Sequence, residues 1–456
     1  MVDRRPDTGL RNAKRAAKIR WQGSEPTRVI LRQEWGYGVF EGQIAPSKRT
    51  MTKAEPHKWE FKARFRRQAF GWRSQPAVQR VKQAAAEIKR VARKDPALAG
   101  EGAVAFFERL SPALENVDSS SGALGTAVNN AITELVPVIA EAPADSSTRA
   151  AWLERLFEAH GKDQIPYIER LADYWGELCA SKDVASEWAD RLLGTIRMAL
   201  SNTDKNLRGH FHGTSACLSA LYASGRYDDL LAVVQKETFW PYRRWAVKSL
   251  AAQGRRAEAV RYAEASRSPW ASDWDIDRLC EEILLSSGMA DEAYSRYGLT
   301  ANRGGTYLAT FRAVAKKYPH KSASDILVDL VATTPGDEGK WFAAAKDAGL
   351  FQEALALAER TPCDPRILTR AARDHVDDEP AFALGAGLLA LHWLVQGYGY
   401  EVTGADVWAA YSSAMKAAER TGTRAQVKER ISKMVASPHD GAGFVARILG
   451  REAELS

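Results

Sequence analysis

Leu250-Ala-Ala-Gln-Gly254-Arg-Arg-Ala-Glu258-Ala259 carries the reading of this chain, because its pattern returns three more times. The other copies are Leu221-Tyr-Ala-Ser-Gly225-Arg-Tyr-Asp-Asp229-Leu230, Leu284-Leu-Ser-Ser-Gly288-Met-Ala-Asp-Glu292-Ala293 and Ala345-Lys-Asp-Ala-Gly349-Leu-Phe-Gln-Glu353-Ala354. In each, an acidic residue stands four places after the glycine and Ala or Leu stands five places after it. Apolar residues stand eight and four places before it: Cys217 and Leu221, Ala246 and Leu250, Cys280 and Leu284, Trp341 and Ala345. A left-handed residue at the end of a helix favours glycine, which adopts that backbone without penalty. The i, i+4 apolar pair is one buried helical face. The acidic residue falls in the first turn of the next helix, where negative charge meets the positive end of the dipole. Pro241, Pro269, Pro335 and Pro362 stop helices between units. The glycines are 29, 34 and 61 residues apart. The last interval is two units, so a degenerate unit without its glycine is expected between Gly288 and Gly349. A period of this size with helical patterning predicts an all-α fold of stacked helical hairpins, an α-solenoid.

Gly225-Arg-Tyr-Asp-Asp-Leu-Leu resembles the helix-to-helix turn of tetratricopeptide repeats. The large aromatic that those repeats carry early in the first helix is replaced here by Thr214, Arg243, Asp277 and Glu338, so the array is a degenerate, tetratricopeptide-like one. Residues 77–450 are also similar to an uncharacterised bacterial family of helical-repeat domains, through Tyr174–Cys179, Trp240–Trp245 and Gly397–Ala405. Some members of that family carry the domain behind a SWIM zinc finger. The Cys-x-Cys and Cys-x-His ligands of that finger are absent here, so the resemblance implies a helical-repeat domain and neither a metal nor a nucleic-acid role.

The chain has 456 residues, 45% hydrophobic and 27% charged, as in ordinary globular proteins. A solenoid accommodates that length by adding units. Met1–Arg20 is charged and has no apolar run of the signal-peptide kind. The most apolar stretch, Ala381–Val395, is shorter than the roughly 20 residues that span a bilayer and predicts a buried helix. Four cysteines are too sparse for a disulfide framework, and the expected location is cytoplasmic.

Charge is unevenly placed. Residues 1–95 hold 24 Lys and Arg against 9 Asp and Glu, a net of +15 in a chain of +7, so the remainder carries −8. The domain plan is a basic, aromatic segment over 1–75, a helical region over 77–210, tetratricopeptide-like repeats over 211–370 and capping helices over 371–456. Residues 28–44 carry the one good β signal, a short hairpin or extended arm. Residues 57–73 fit a strand by alternation of Trp59, Phe61, Ala63 and Phe65; Pro56, Gly71 and the Phe61–Phe65–Ala69–Trp72 face favour a helix. Helices are expected near 78–92, 97–116, 123–141, 147–160, 164–180, 183–201, 380–397 and 404–420.

No phosphate-cradling loop, nucleophile elbow or His-Glu-x-x-His is present, so no catalytic residue and no cofactor is assigned. His210-x-His212 with Cys217 is the best metal-like grouping, but it lacks a fourth ligand. Asp273-Trp-Asp275-Ile-Asp277 reads as capping of a helix start. Glu60-Phe-Lys62 is half of a metal-dependent nuclease pattern; Glu34 or Glu41 would have to replace its missing aspartate, which leaves a nuclease as a remote alternative.

Two readings remain. In the first, the chain is a non-catalytic scaffold whose concave face holds a protein or peptide partner, with an acidic segment as one option. Positions ten and six before the repeat glycines then line the groove: Ser215 and Ser219, Arg244 and Lys248, Arg278 and Glu282, Gly339 and Ala343. Arg244, Lys248 and Arg278 could meet an acidic peptide or pair with acids of neighbouring helices. In the second, Lys58, Lys62, Arg64, Arg66, Arg67 and Arg73 grip DNA or RNA phosphates without sequence preference while Trp59 and Trp72 stack on bases.

Overall fold

In a computed structural model of the chain, the described residues are 57–201, 211–269 and 271–453. They contain no strand; every regular element is helical. The expected arm over 28–44 lies outside the described residues.

All four repeat glycines have left-handed φ: Gly225 +78°, Gly254 +77°, Gly288 +74° and Gly349 +73°. Each sits in the same hydrogen-bond pattern. The Gly254 amide donates to the Ala251 carbonyl (3.0 Å), and the Arg255 amide reaches back to the Leu250 carbonyl (2.9 Å). Arg226 to Leu221, Met289 to Leu284 and Leu350 to Ala345 repeat the longer bond. This is the Schellman arrangement, which satisfies the last carbonyls of a helix and reverses the chain. The apolar positions eight and four before each glycine are buried throughout. Asp229, Glu258, Glu292 and Glu353 fall in the first turn of the following helix.

The hairpins are Thr214–Ala223 with Tyr227–Val234, Trp240–Ala252 with Arg256–Glu264, Asp273–Ser286 with the segment from Ala290, and Phe342–Asp347 with Phe351–Arg360. Between Gly288 and Gly349 lies a further helix pair with no glycine at its turn: Tyr307–Lys317, a turn at Tyr318–Lys321, and Ala323–Ala332 capped by Ser322. Tyr318 closes that turn in glycine's place. Its hydroxyl donates to the fully buried Glu281, which also takes Lys317 Nζ at 2.6 Å and the Asn302 amide. The same left-handed turn ends two further helices, at Gly397 (+82°) and Gly422 (+68°), beyond the four read in the sequence.

Upstream, helices run over Ser74–Ala92, Pro96–Leu114, Ala123–Ala140, Ser146–Gly161 and Lys182–Ser201. Ala123–Ala140 is the one described helix long and apolar enough to cross a membrane. Its face from Leu124 to Ile139 is buried inside the protein, and Arg149 caps its C-terminal end by donating to the Ile139, Ala140 and Ala142 carbonyls. The apolar stretch before Gln396 is the buried helix Pro380–Val395, as read. Two expectations need correction. The helix near 164–180 is only a 3₁₀ turn, Glu169–Tyr174, and one α turn, Trp175–Leu178. The Asp163 carboxylate holds the Ile168 amide (2.7 Å) before it, and Ala180 at φ +61° ends it. The helix across 57–73 is confined to Glu60–Arg64, because Gln68 turns left-handed (+53°) and bonds the Pro112 carbonyl. Buried apolar side chains form two large clusters, which meet in Trp240–Ala252: Trp245 and Ala246 belong to one, Val247 and Leu250 to the other.

A Cβ at Gly225 or Gly254 would meet nothing within 4 Å, so only backbone strain opposes a side chain there. Gly225→Ala and Gly254→Ala should each cost about 1–2 kcal/mol, and Asn at either position less. Urea unfolding of the variants checks this.

Candidate protein-binding face

The first helices of the hairpins carry the positions assigned to a groove. Ser215 is half-buried and Ser219 is buried. Ser219 leaves the groove: its hydroxyl accepts from the Gly176 amide (3.0 Å) and donates to the Asp173 carbonyl (2.9 Å). Gly176 packs so closely there that a Cβ would lie 2.5 Å from the Ser219 carbonyl oxygen. Arg244 is half-buried and ion-paired with Asp173 at 2.5 Å, while its Nε donates to the Pro241 carbonyl. Its guanidinium is therefore already committed to an internal acid.

Lys248 lies with Nζ 4.7 Å from the centre of the Trp245 ring. Burial lowers its pKa, Arg244 adds to that, and Asp173 and Glu282 oppose it. Arg278, exposed, stacks 4.7 Å above the half-exposed Trp274 ring. Glu282 is exposed. The structure thus brings Arg244, Lys248 and Glu282 into one electrostatic neighbourhood with Asp173. Cations over indole faces supply a further attraction.

The same register leads further along the chain to a larger feature. Gly339 and Ala343 line a cleft of about 480 Å³ with Tyr307, Leu308, Arg312 and Ile367. Gly339 is buried, its amide donates to Thr361 Oγ1 at 2.7 Å, and a Cβ there would strike the Thr361 carbonyl at 2.2 Å. The backbone contact makes the glycine obligatory. Sequence reasoning assigned no residue of Pro365–Asp374 to the groove, although Ile367 and Arg370 of that helix line the cleft. The signal available was an apolar residue that ends up 39% exposed, which spacing alone cannot reveal.

The basic segment divides. Trp59 is 4% exposed, so it is withdrawn from any stacking role; its ring sits where a side chain on Gly102 would be, 2.2 Å from that position. Phe61 and Phe65 pack edge-on against Phe106. Trp72 is 73% exposed. Arg64 pairs with Glu60 at 3.1 Å and bonds Gln83, and Arg67 approaches Glu115 at 3.6 Å. Lys58, Arg66 and Arg73 are exposed and Lys62 half-buried.

No group of three metal-ligating side chains forms among the described residues. His210 lies outside them. Cys217 is buried against the Ala189 carbonyl, and burial pushes its thiol up to about 12. His160 and His212 meet edge-on at 6.2 Å, with the His160 pKa lowered by burial. Asp273 pairs with Arg267; Asp277 is buried and takes Arg267 and the Thr300 hydroxyl. Glu60 is tied to Arg64, and Glu34 and Glu41 are outside the described residues.

No family model matches this chain, and no curated protein matches it either.

Lys248→Met keeps the packing on Trp245 and removes the half-buried charge. The folded-state pKa lies below the unfolded one, so the unfolded chain binds more protons and the charge costs stability at neutral pH. That cost fades as pH rises through the folded pKa toward the unfolded value. The variant should melt at or above the wild-type temperature at pH 7, and the difference should shrink by pH 10; paired thermal scans check it.

Proposed function

We propose that this protein is a non-catalytic helical-repeat scaffold, its hairpins stacked as a tetratricopeptide-like solenoid, that holds a segment of a protein partner along the face of its first helices. It would act in the cytoplasm. One observation carries the reading: the 480 Å³ cleft is lined by Gly339 and Ala343, the positions that the repeat register assigns to the groove. A concave site with an apolar floor and a few polar groups is the usual form of a binding pocket. The test places a photo-crosslinking amino acid at Ala343 or Glu282 on first helices, and at the exposed Val328 on a second helix. Partner adducts from the first two positions and none from Val328 are expected. Equal labelling from all three, or none, sinks the reading.

A second reading has its own support. Lys58, Arg66 and Arg73 are exposed without an ion-pair partner among the described residues, beside the exposed Trp72. They suit non-specific contact with nucleic-acid phosphates. Replacing the three by Ala should flatten the log–log salt dependence of single-strand binding by about 2, at roughly 0.7 per contact. The melting temperature should stay constant; an unchanged slope removes this reading.

A further inference from the structure

The cleft over Tyr307–Asp374 presents an apolar floor and an unequal charge account. Leu308, Ala343, Ile367 and Ala371 supply the floor. Its carboxylates are all engaged within the chain. Asp347 takes Arg312 Nε at 2.8 Å, which holds its carboxyl below the usual range. Asp364 caps its helix through the Arg366 amide at 2.8 Å, and Asp374 takes Arg373 at 2.8 Å. Among the cations, Arg312 is spent on Asp347 and Lys340 on Asp337 at 2.9 Å. Lys346 and Arg370 remain. Both line the cleft, and neither has an ion-pair partner among the described residues, although Lys346 adds to the field that lowers the Asp347 pKa. They project from different helices, Phe342–Asp347 and Pro365–Asp374, while Ala343 and Ile367 of the same two helices line the floor. Lys346 is anchored as well: its carbonyl accepts the Gly349 amide in the left-handed turn (3.0 Å).

Resting on the scaffold reading, we infer that this cleft binds an acidic–apolar peptide segment of the partner: one apolar side chain on the floor, and a neighbouring Asp or Glu carboxylate between Lys346 and Arg370. Arg370 offers a planar fork to the carboxylate and Lys346 a point charge. The apolar floor disfavours a free anion as occupant, since an anion would leave that surface in water. The excess of positive charge in the lining, four Lys and Arg against three Asp, disfavours a purely apolar or basic segment.

The test uses the full chain and fluorescence anisotropy of a labelled short peptide alternating Glu and Val. Its companions replace Glu by Gln, by Lys or by phosphoserine. The Glu peptide should bind about tenfold more tightly than the Gln peptide, the Lys peptide not at all, and binding should weaken with salt. Lys346→Glu with Arg370→Glu should weaken the Glu peptide by about tenfold or more without altering the melting temperature. Ala343→Trp, which fills the floor, should also weaken it. Equal binding of the Glu and Gln peptides, full affinity in the double variant, a preference for phosphoserine alone, or no binding by any peptide overturns the inference. Any of these together with adducts from Ala343 and Glu282 but not Val328 would remove the acidic chemistry and leave the scaffold. Adducts from all three sites would remove the scaffold while the peptide titration still reports on the cleft.

Discussion

A left-handed residue at the end of a helix is the constraint on which the hairpins depend. At Gly225, Gly254, Gly288 and Gly349 the chain reverses through one positive φ, and the next amide bonds back to a carbonyl five residues earlier. That acceptor is Leu221, Leu250, Leu284 or Ala345, and each is buried. One residue therefore closes the helix with its backbone and packs the hairpin with its side chain. Hydrogen bonding and apolar burial are met together, and the left-handed cost falls on the residue type that bears it least. Gly397 and Gly422 extend the device to Pro380–Val395 and Gly404–Arg420.

Where the device is missing, a different interaction takes over. The turn after Tyr307–Lys317 has no glycine; it is held by Tyr318, fully buried, whose hydroxyl reaches Glu281 of the preceding hairpin. A buried carboxylate is costly unless satisfied. Lys317, Asn302 and Tyr318 satisfy both oxygens of Glu281. Close backbone approach is the other recurrent means of packing. Gly102 admits the Trp59 ring, Gly176 admits Ala223 and the Ser219 carbonyl, and Gly339 admits the Thr361 and Pro362 carbonyls.

Some surface cations are matched by acids of adjacent turns or helices, as with Arg155 between Glu101 and Glu108, or Arg366 on Asp406. Exposed pairs of this kind contribute little to stability. Their consequence is for recognition. Where pairing is complete, a surface has no net preference for charge; where it is incomplete, as at Lys346 and Arg370, a preference remains.

The sequence by itself determined the helical class, the turn positions and the buried i, i+4 faces. These follow from local rules: a period, a φ that one residue type tolerates, and the face of a helix. Gly397 and Gly422 were harder to see, because Val402 follows Glu401 where Ala or Leu was sought, and Gln426 stands where an acid was sought. Only tertiary structure decided which members of each face stay open. Ser219 shares the register of Ala343 and Arg244 that of Gly339, yet Gly176 and Asp173 arrive from a distant segment and engage them. Trp59 has the same neighbours in sequence as a stacking residue would have, but Gly102 provides its seat in the core. The cleft needs Ile367 and Arg370, from a helix outside the repeat signature. Which partner occupies a position depends on residues far away in the chain, and no local spacing encodes that.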